Sequence, residues 1–160
     1  PIFHGGGQEM GLRPGTEPVE LIHNFAHAFV YAQENRESAT EKITELQNYF
    51  ESKVEKYLPN IRINKSGPPT GGRAPHITHL IIPDLDSELL VIELDARGIA
   101  VSSKSACKND NDDKSELLSL LYPNEKVGAV RVSYGRTTTK RQLDKTIKAL
   151  GSVLKKYNQQ

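Results

Sequence analysis

The chain has a single cysteine, a single methionine and no tryptophan among its 160 residues. One cysteine excludes an internal disulfide, and no stretch has the pattern of a signal peptide or of a membrane span. The 21 Lys and Arg against 20 Asp and Glu leave a net charge of +1, which gives no electrostatic reason to expect nucleic acid or an anionic membrane as a partner. These absences favour a cytoplasmic protein in a reducing environment.

The first segment, residues 1–16, is rich in glycine and proline and predicts an ordered loop. The chain opens directly on the motif His4-Gly5-Gly6-Gly7, and a chain that begins inside a motif is expected to have lost upstream sequence. A length of 160 residues suits either one domain with its own core or a part of a larger protein.

The second segment, residues 17–58, has helical periodicity, with no glycine or proline between positions 19 and 58. It predicts one long bent helix or two helices with a joint near residue 36. Ser38 and Glu41 have the spacing of a capping box. A continuous helix of this length spans about 60 Å at 1.5 Å per residue, too long for one small core. We therefore predict a connector helix.

The third segment, residues 59–160, alternates short strands with helices. Strands are predicted at 61–63, 76–82, 99–103 and 130–134, and helices begin after the N-cap residue Asp86, near position 115 and at the capping box Thr139–Gln142. This order predicts an α/β or α+β layer in which helices cover a small sheet.

Cys107 follows the predicted strand 99–103 and precedes the polar run 109–113. Lys104 and Lys108 lie close to it, and nearby cations favour the nucleophilic thiolate. Free cysteine is also among the most buried residue types. The local context therefore fits a reactive thiol and a structural cysteine equally well.

Three motifs, in this order, extend the interpretation to a family. They are His4-Gly5-Gly6-Gly7-Gln8-Glu9 with its continuation to Thr16, Ser102-Ser103-Lys104-Ser105-Ala106-Cys107, and the stretch from Val130 to Thr138. Together they resemble the C-terminal part of a cysteine desulfurase, a pyridoxal-phosphate (PLP) enzyme of the class V aminotransferase type. The resemblance covers essentially the whole chain, including Arg73-Ala74-Pro75.

The resemblance implies the small C-terminal domain of a PLP enzyme of fold type I, which removes sulfur from L-cysteine and leaves alanine. It assigns Cys107 as the nucleophile that becomes a persulfide, Arg131 as the anchor of the substrate carboxylate and Thr16 as a contact to the PLP phosphate across a homodimer. It further implies a sulfur-acceptor or scaffold protein as partner, in iron–sulfur cluster assembly or tRNA thiolation. Arg136 is expected to tie the last helix to the domain.

The chain departs from the family pattern in two ways. No lysine has the setting of the family's Schiff-base lysine, so the resemblance implies that the isolated chain is inactive. Lys104 stands where the family usually has glycine, which changes the charge and backbone freedom beside Cys107. Two alternatives remain open: a split or degenerate domain that carries sulfur or binds partners without PLP, and a selenocysteine lyase.

The five histidines do not predict a metal site. His23 and His27 are four residues apart on a helix, but no third ligand is evident. His76 and His79 lie on opposite faces of a strand. His4 belongs to the glycine-rich loop. We therefore expect no bound metal.

Overall fold

The computed structural model describes residues 3–65, 72–103 and 116–157, apart from the side chains at 116 and 117. The chain forms two compact units, Pro1–Ser38 and Ala39–Gln160. Predictions that concern Lys104 and Cys107 fall outside the described residues.

The first unit contains a short 3-10 helix, Glu9–Gly11, and helix α1, Val19–Glu34. Asn35 follows α1, and its side-chain amide donates to the carbonyl of Tyr31. The next helix, α2 (Arg36–Tyr57), begins in this unit and continues into the second. Of the two possibilities left open by the sequence, the structure therefore has two helices with the break at Asn35.

The predicted capping box at Ser38 and Glu41 is wrong. The helix already begins at Arg36, and the Ser38 hydroxyl donates to the Asn35 carbonyl at 3.2 Å. Spacing alone does not separate a capping serine from one within the first turn that bonds back to a carbonyl.

The second unit contains a three-stranded antiparallel sheet. Its strands are β1 (Arg62–Ile63), β2 (Ile77–Pro83) and β3 (Val127–Ser133), in the order β1-β2-β3. The strand predicted at 99–103 is absent. Only Ser102 pairs, through an isolated bridge to Arg131, because Ile99 is committed to the end of the preceding helix, where its N–H donates to Leu94.

The described residues of this unit form three further helices, α3 (Ser87–Asp95), α4 (Glu116–Leu121) and α5 (Lys140–Tyr157). Two predicted caps are confirmed. The Asp86 carboxylate accepts hydrogen bonds from the backbone N–H groups of Glu88 and Leu89, in the first turn of α3, at 2.8 and 3.0 Å. Thr139 and Gln142 exchange side-chain and backbone hydrogen bonds at the start of α5.

The main core lies between one face of the sheet and helices α2, α3 and α5. Its fully buried side chains include Phe50, Leu80, Leu94, Val130 and Leu150. A smaller apolar cluster on the other face joins Leu118 of α4 to Ile81 and Ala129. A small sheet covered by helices matches the predicted fold class, which is confirmed.

Candidate active site

Arg131 lies on the outward face of β3. Val130 and Val132 on either side are buried in the core, whereas Arg131 is exposed, as the alternation of side chains along a strand requires. Within the part of the chain that the structure describes, no carboxylate pairs with its guanidinium. The role of Arg131 as a carboxylate anchor stays a prediction.

Ser102 joins the start of the cysteine segment to Arg131. The Arg131 N–H donates to the Ser102 carbonyl at 2.7 Å, and the Ser102 N–H donates to the Arg131 carbonyl at 3.3 Å. Ser103 is the last described residue before the segment that contains Cys107. The predicted anchor, Arg131, therefore pairs with Ser102, close to where the segment that contains the predicted nucleophile begins.

His79 of β2 is opposite Arg131 in the antiparallel register. The backbone groups of Arg131 bond to Ser102, whereas the His79 carbonyl accepts from Asn64 at 2.9 Å. His79 and Arg131 therefore form a non-hydrogen-bonded pair, the type in which Cα atoms are about 4.5 Å apart and the side chains are closest. Burial, and then the charge of Arg131, hold the pKa of His79 below its usual range.

In the sequence alone, His79 is a candidate only for metal binding, and its pairing with Arg131 is not apparent. The alternation of β2 shows which face His79 occupies, but the partner across the sheet depends on register. The segment between β2 and β3, which contains α3 and α4, is too long for its length to fix that register.

Thr16, the predicted phosphate contact, belongs to the first unit. Its side chain is exposed, and its carbonyl accepts from the Arg13 guanidinium at 3.0 Å. Gly15, just before it, has a φ of 97°, a conformation that glycine adopts readily. The role of Thr16 across a dimer stays a prediction.

A buried polar network lies on the opposite, core-facing side of the sheet. The Glu51 carboxylate accepts two hydrogen bonds of 2.9 Å from Arg73 and one of 2.7 Å from Thr78. The Tyr134 hydroxyl in turn donates to Thr78 at 2.8 Å, and burial raises the pKa of that phenol. This network was not predicted from the sequence, although Gln47 and Glu51 border the apolar stripe of α2 at a helical spacing of four.

A groove of about 910 Å³ lies between α2 and α5. Its lining includes Lys53, Tyr57, Ile147 and Lys148. Because α2 and α5 cover the core-facing side of the sheet, the groove is separate from Arg131 and His79. We assign it no role in the candidate site.

The described ranges contain neither a cluster of metal-ligating side chains nor a membrane-spanning helix. No group of three or more His, Cys, Asp or Glu side chains is arranged to hold a metal ion. No helix there is both long and apolar enough to cross a membrane. The His23 and His27 rings contact each other edge to face, with centroids 4.4 Å apart.

Comparison with known proteins confirms the resemblance. The family model for aminotransferase class-V matches residues 4–146. A cysteine desulfurase IscS from Dictyoglomus turgidum is 32% identical over 158 residues, covering 98% of this chain and 39% of the relative. An IscS from Clostridium botulinum is also 32% identical, over 157 residues, covering 96% of this chain and 39% of the relative.

Solved structures of NifS-like proteins have a fold similar to that of this chain. A NifS-like protein from Rickettsia africae superposes with a TM-score of 0.73 at 30% identity, covering 97% of this chain and 40% of that one. A second NifS-like protein gives a TM-score of 0.76 at 25% identity, covering 97% and 39%. The chain belongs to the aminotransferase class-V family, and it spans about two fifths of the length of the relatives it matches.

Proposed function

We propose that this chain is part of a PLP-dependent cysteine desulfurase, a sulfur transferase that converts L-cysteine to alanine and a persulfide on Cys107. The observation that carries the proposal is the bridge between Ser102 and Arg131. It joins the candidate carboxylate anchor to the candidate nucleophile segment, in a chain of the aminotransferase class-V family.

Arg131 binds the substrate carboxylate in this proposal. Its planar guanidinium can donate two parallel hydrogen bonds, which fix the orientation of the carboxylate as well as balance its charge. Exposure on the open face of β3 supports this role.

Cys107 accepts the sulfur. Cys107 is four residues after Ser103, and four extended residues reach at most about 14 Å, so the covalent chain keeps the thiol within reach of the Arg131 region. The thiolate attacks the sulfur of the bound cysteine. A sulfur–sulfur bond forms, the carbon–sulfur bond of the substrate breaks, and its electron pair with a proton from solvent ends in alanine.

PLP supplies the electron sink when it is bound. The hydroxyl of Thr16 suits a phosphate contact, because the side chain is exposed and follows a glycine-rich turn. A lysine outside this chain would hold the cofactor covalently. The full proposal therefore includes a homodimer in the cytoplasm and a sulfur-acceptor or scaffold protein that serves iron–sulfur cluster assembly or tRNA thiolation.

The test is persulfide formation on the protein as it occurs in the cell. Cells are supplied with L-cysteine, the protein is trapped by rapid alkylation, and the peptide with Cys107 is analysed by mass spectrometry. We expect the mass of one added sulfur atom on this peptide in the wild type, and none in Cys107→Ala. Ser103→Ala, next to the same segment, is the matched control and should keep the persulfide.

Three results would contradict the proposal or favour an alternative. Alanine formation that persists at the wild-type rate in Cys107→Ala would remove the thiol from the reaction. A persulfide on Cys107 without alanine formation by the purified protein would instead favour a sulfur carrier. Alanine formation from L-selenocysteine, without persulfide formation from L-cysteine, would favour the selenocysteine lyase.

A further inference from the structure

His79 and Arg131 face the same open side of the sheet from neighbouring strands. They are register partners in a non-hydrogen-bonded pair, which places their Cβ atoms about 4.5–5.5 Å apart. The imidazole can therefore reach a carboxylate that the guanidinium binds.

The charges around the pair favour a neutral imidazole. Two positive groups directly opposite each other destabilise an antiparallel pair, and His79 is half-buried beside Arg131. A neutral imidazole keeps one N–H donor, which can serve a carboxylate without repelling Arg131.

The charged side chain that β1 presents on this face of the sheet is already engaged. Arg62 of β1 pairs with Glu125 at 2.6 Å and stacks over the Tyr122 ring at 4.5 Å. Leu118, which packs on this face from α4, is apolar. Among the described residues, Arg131 is thus the charged group directly opposite His79.

We propose that His79 is a second carboxylate-binding residue of this site, which donates a hydrogen bond to the carboxylate that Arg131 anchors. The inference rests on the proposed role of Arg131. Binding neutralises the guanidinium charge that His79 faces, so the imidazole takes up a proton more readily in the bound state. Carboxylate binding and proton uptake are therefore coupled at this pair.

The experiment uses S-methyl-L-cysteine, a substrate analogue without a free thiol, and its methyl ester, which lacks the carboxylate. Imidazole resonances of the chain are followed by NMR against pH, and the His79 signal is assigned with His79→Val, a β-branched replacement that suits a strand. The analogue should move the titration midpoint of His79 to higher pH, and the ester should leave it in place. Arg131→Gln should raise the midpoint without ligand and remove the response.

The affinity for the analogue gives an independent readout. His79→Val should weaken binding about tenfold, the lower range for a hydrogen bond to a charged group. His76→Val, three residues earlier in the turn before β2, is the matched control and should bind as the wild type. Retained far-UV circular dichroism and unchanged signals of the other histidines establish that each variant is folded.

The possible failures are distinguishable. Full affinity in His79→Val together with lost affinity in Arg131→Gln overturns the role of His79 and leaves the anchor in place. Full affinity in both variants overturns the anchor as well. A His79 midpoint that does not respond to the analogue at saturation also overturns the proposed contact. None of these results depends on Cys107, so the proposed persulfide chemistry is tested separately.

Discussion

Single charged residues have different roles on the two faces of the sheet. Arg131 on the open face has no described carboxylate partner and is exposed. Glu51 on the core face is only 5% exposed and accepts from Arg73 and Thr78. An exposed cation of this kind can exchange partners, whereas a buried carboxylate with several donors fixes the structure around it.

Glu51→Gln should destabilise the second unit by about 3 kcal/mol, the lower end of the range for breaking a buried ion pair. The lower end applies because the Arg73 side chain keeps 24% of its exposure. Glu55→Gln on the same helix is the control: Glu55 pairs with Lys65 but is 53% exposed, so its loss should cost less than about 1 kcal/mol. Urea unfolding measures both. Equal costs would show that the buried network adds no stability.

At the scale of elements, α3 is held at both ends. Its N-terminus passes so close to β3 that a Cβ built on Gly128 would lie 2.0 Å from the carbonyl oxygen of Leu85. Near its C-terminus, Glu93 accepts hydrogen bonds from Lys156 at 2.6 Å and Tyr157 at 2.7 Å, both on α5, and from Arg97. The contact at the N-terminus of α3 depends on the absence of a side chain at Gly128. The contact near its C-terminus depends on the hydrogen bonds and charges around Glu93.

Gly128→Ala should destabilise the unit by about 3 kcal/mol, the upper range for overpacking, because the added methyl meets backbone that cannot rotate away. Gly135→Ala, just beyond the same strand, is the control. A Cβ there would meet its nearest neighbour, the Thr138 hydroxyl, at 4.0 Å. Thermal unfolding should therefore be lowered in the first variant and nearly unchanged in the second. A Gly128→Ala protein as stable as the wild type would contradict the close approach of α3 to β3.

Glu93 should contribute to acid sensitivity. The hydrogen bonds from Lys156, Tyr157 and Arg97 lower its pKa from 4.5 to about 2. A carboxyl with a depressed folded-state pKa stabilises the fold above its unfolded pKa, and this contribution is lost as the pH falls from about 4.5 through 2. Urea midpoints measured over this window should therefore fall less steeply in Glu93→Gln than in the wild type. Equal slopes in the two proteins would contradict this contribution of Glu93.

At the scale of the whole molecule, two units differ in how they bury apolar surface. Helix α1 has no buried residue, and Phe25 and Phe29 on it are 71% and 56% exposed. The buried apolar core of the second unit begins with Leu46 and extends to Leu154. The second unit therefore has the elements of an independent fold.

Removal of residues 1–38 should leave the unfolding free energy of the remaining chain within about 0.5 kcal/mol of its value in the full chain, the range for changes remote from a core. Removal of residues 1–58 should abolish cooperative unfolding, because Phe50 and Val54 of α2 are completely buried. Circular dichroism with urea measures both truncations. Cooperative unfolding of the shorter one would show that α2 is dispensable to the core.

The sequence predicted those features that depend on neighbours along the chain. The cap at Asp86, the capping box at Thr139 and the alternation of Val130 and Val132 around Arg131 all have local causes. The pairing of His79 with Arg131 and the ion pair of Glu51 with Arg73 depend on how distant segments meet. The strand predicted at 99–103 is wrong for a local reason, because the Ile99 N–H donates to the Leu94 carbonyl at the end of α3.

The contact of α2 with α5 has a consequence for synthesis on the ribosome. The Tyr49 hydroxyl donates to Asp144, 95 residues later, and Leu143, Leu150 and Val153 belong to the same core as α2. At about 5–20 residues per second, translation takes about 5–20 s to supply this partner helix. Throughout that interval the emerging α2 shows an uncovered apolar stripe. Shielding of this stripe by the ribosome surface or a chaperone would protect the nascent chain from aggregation until α5 leaves the exit tunnel.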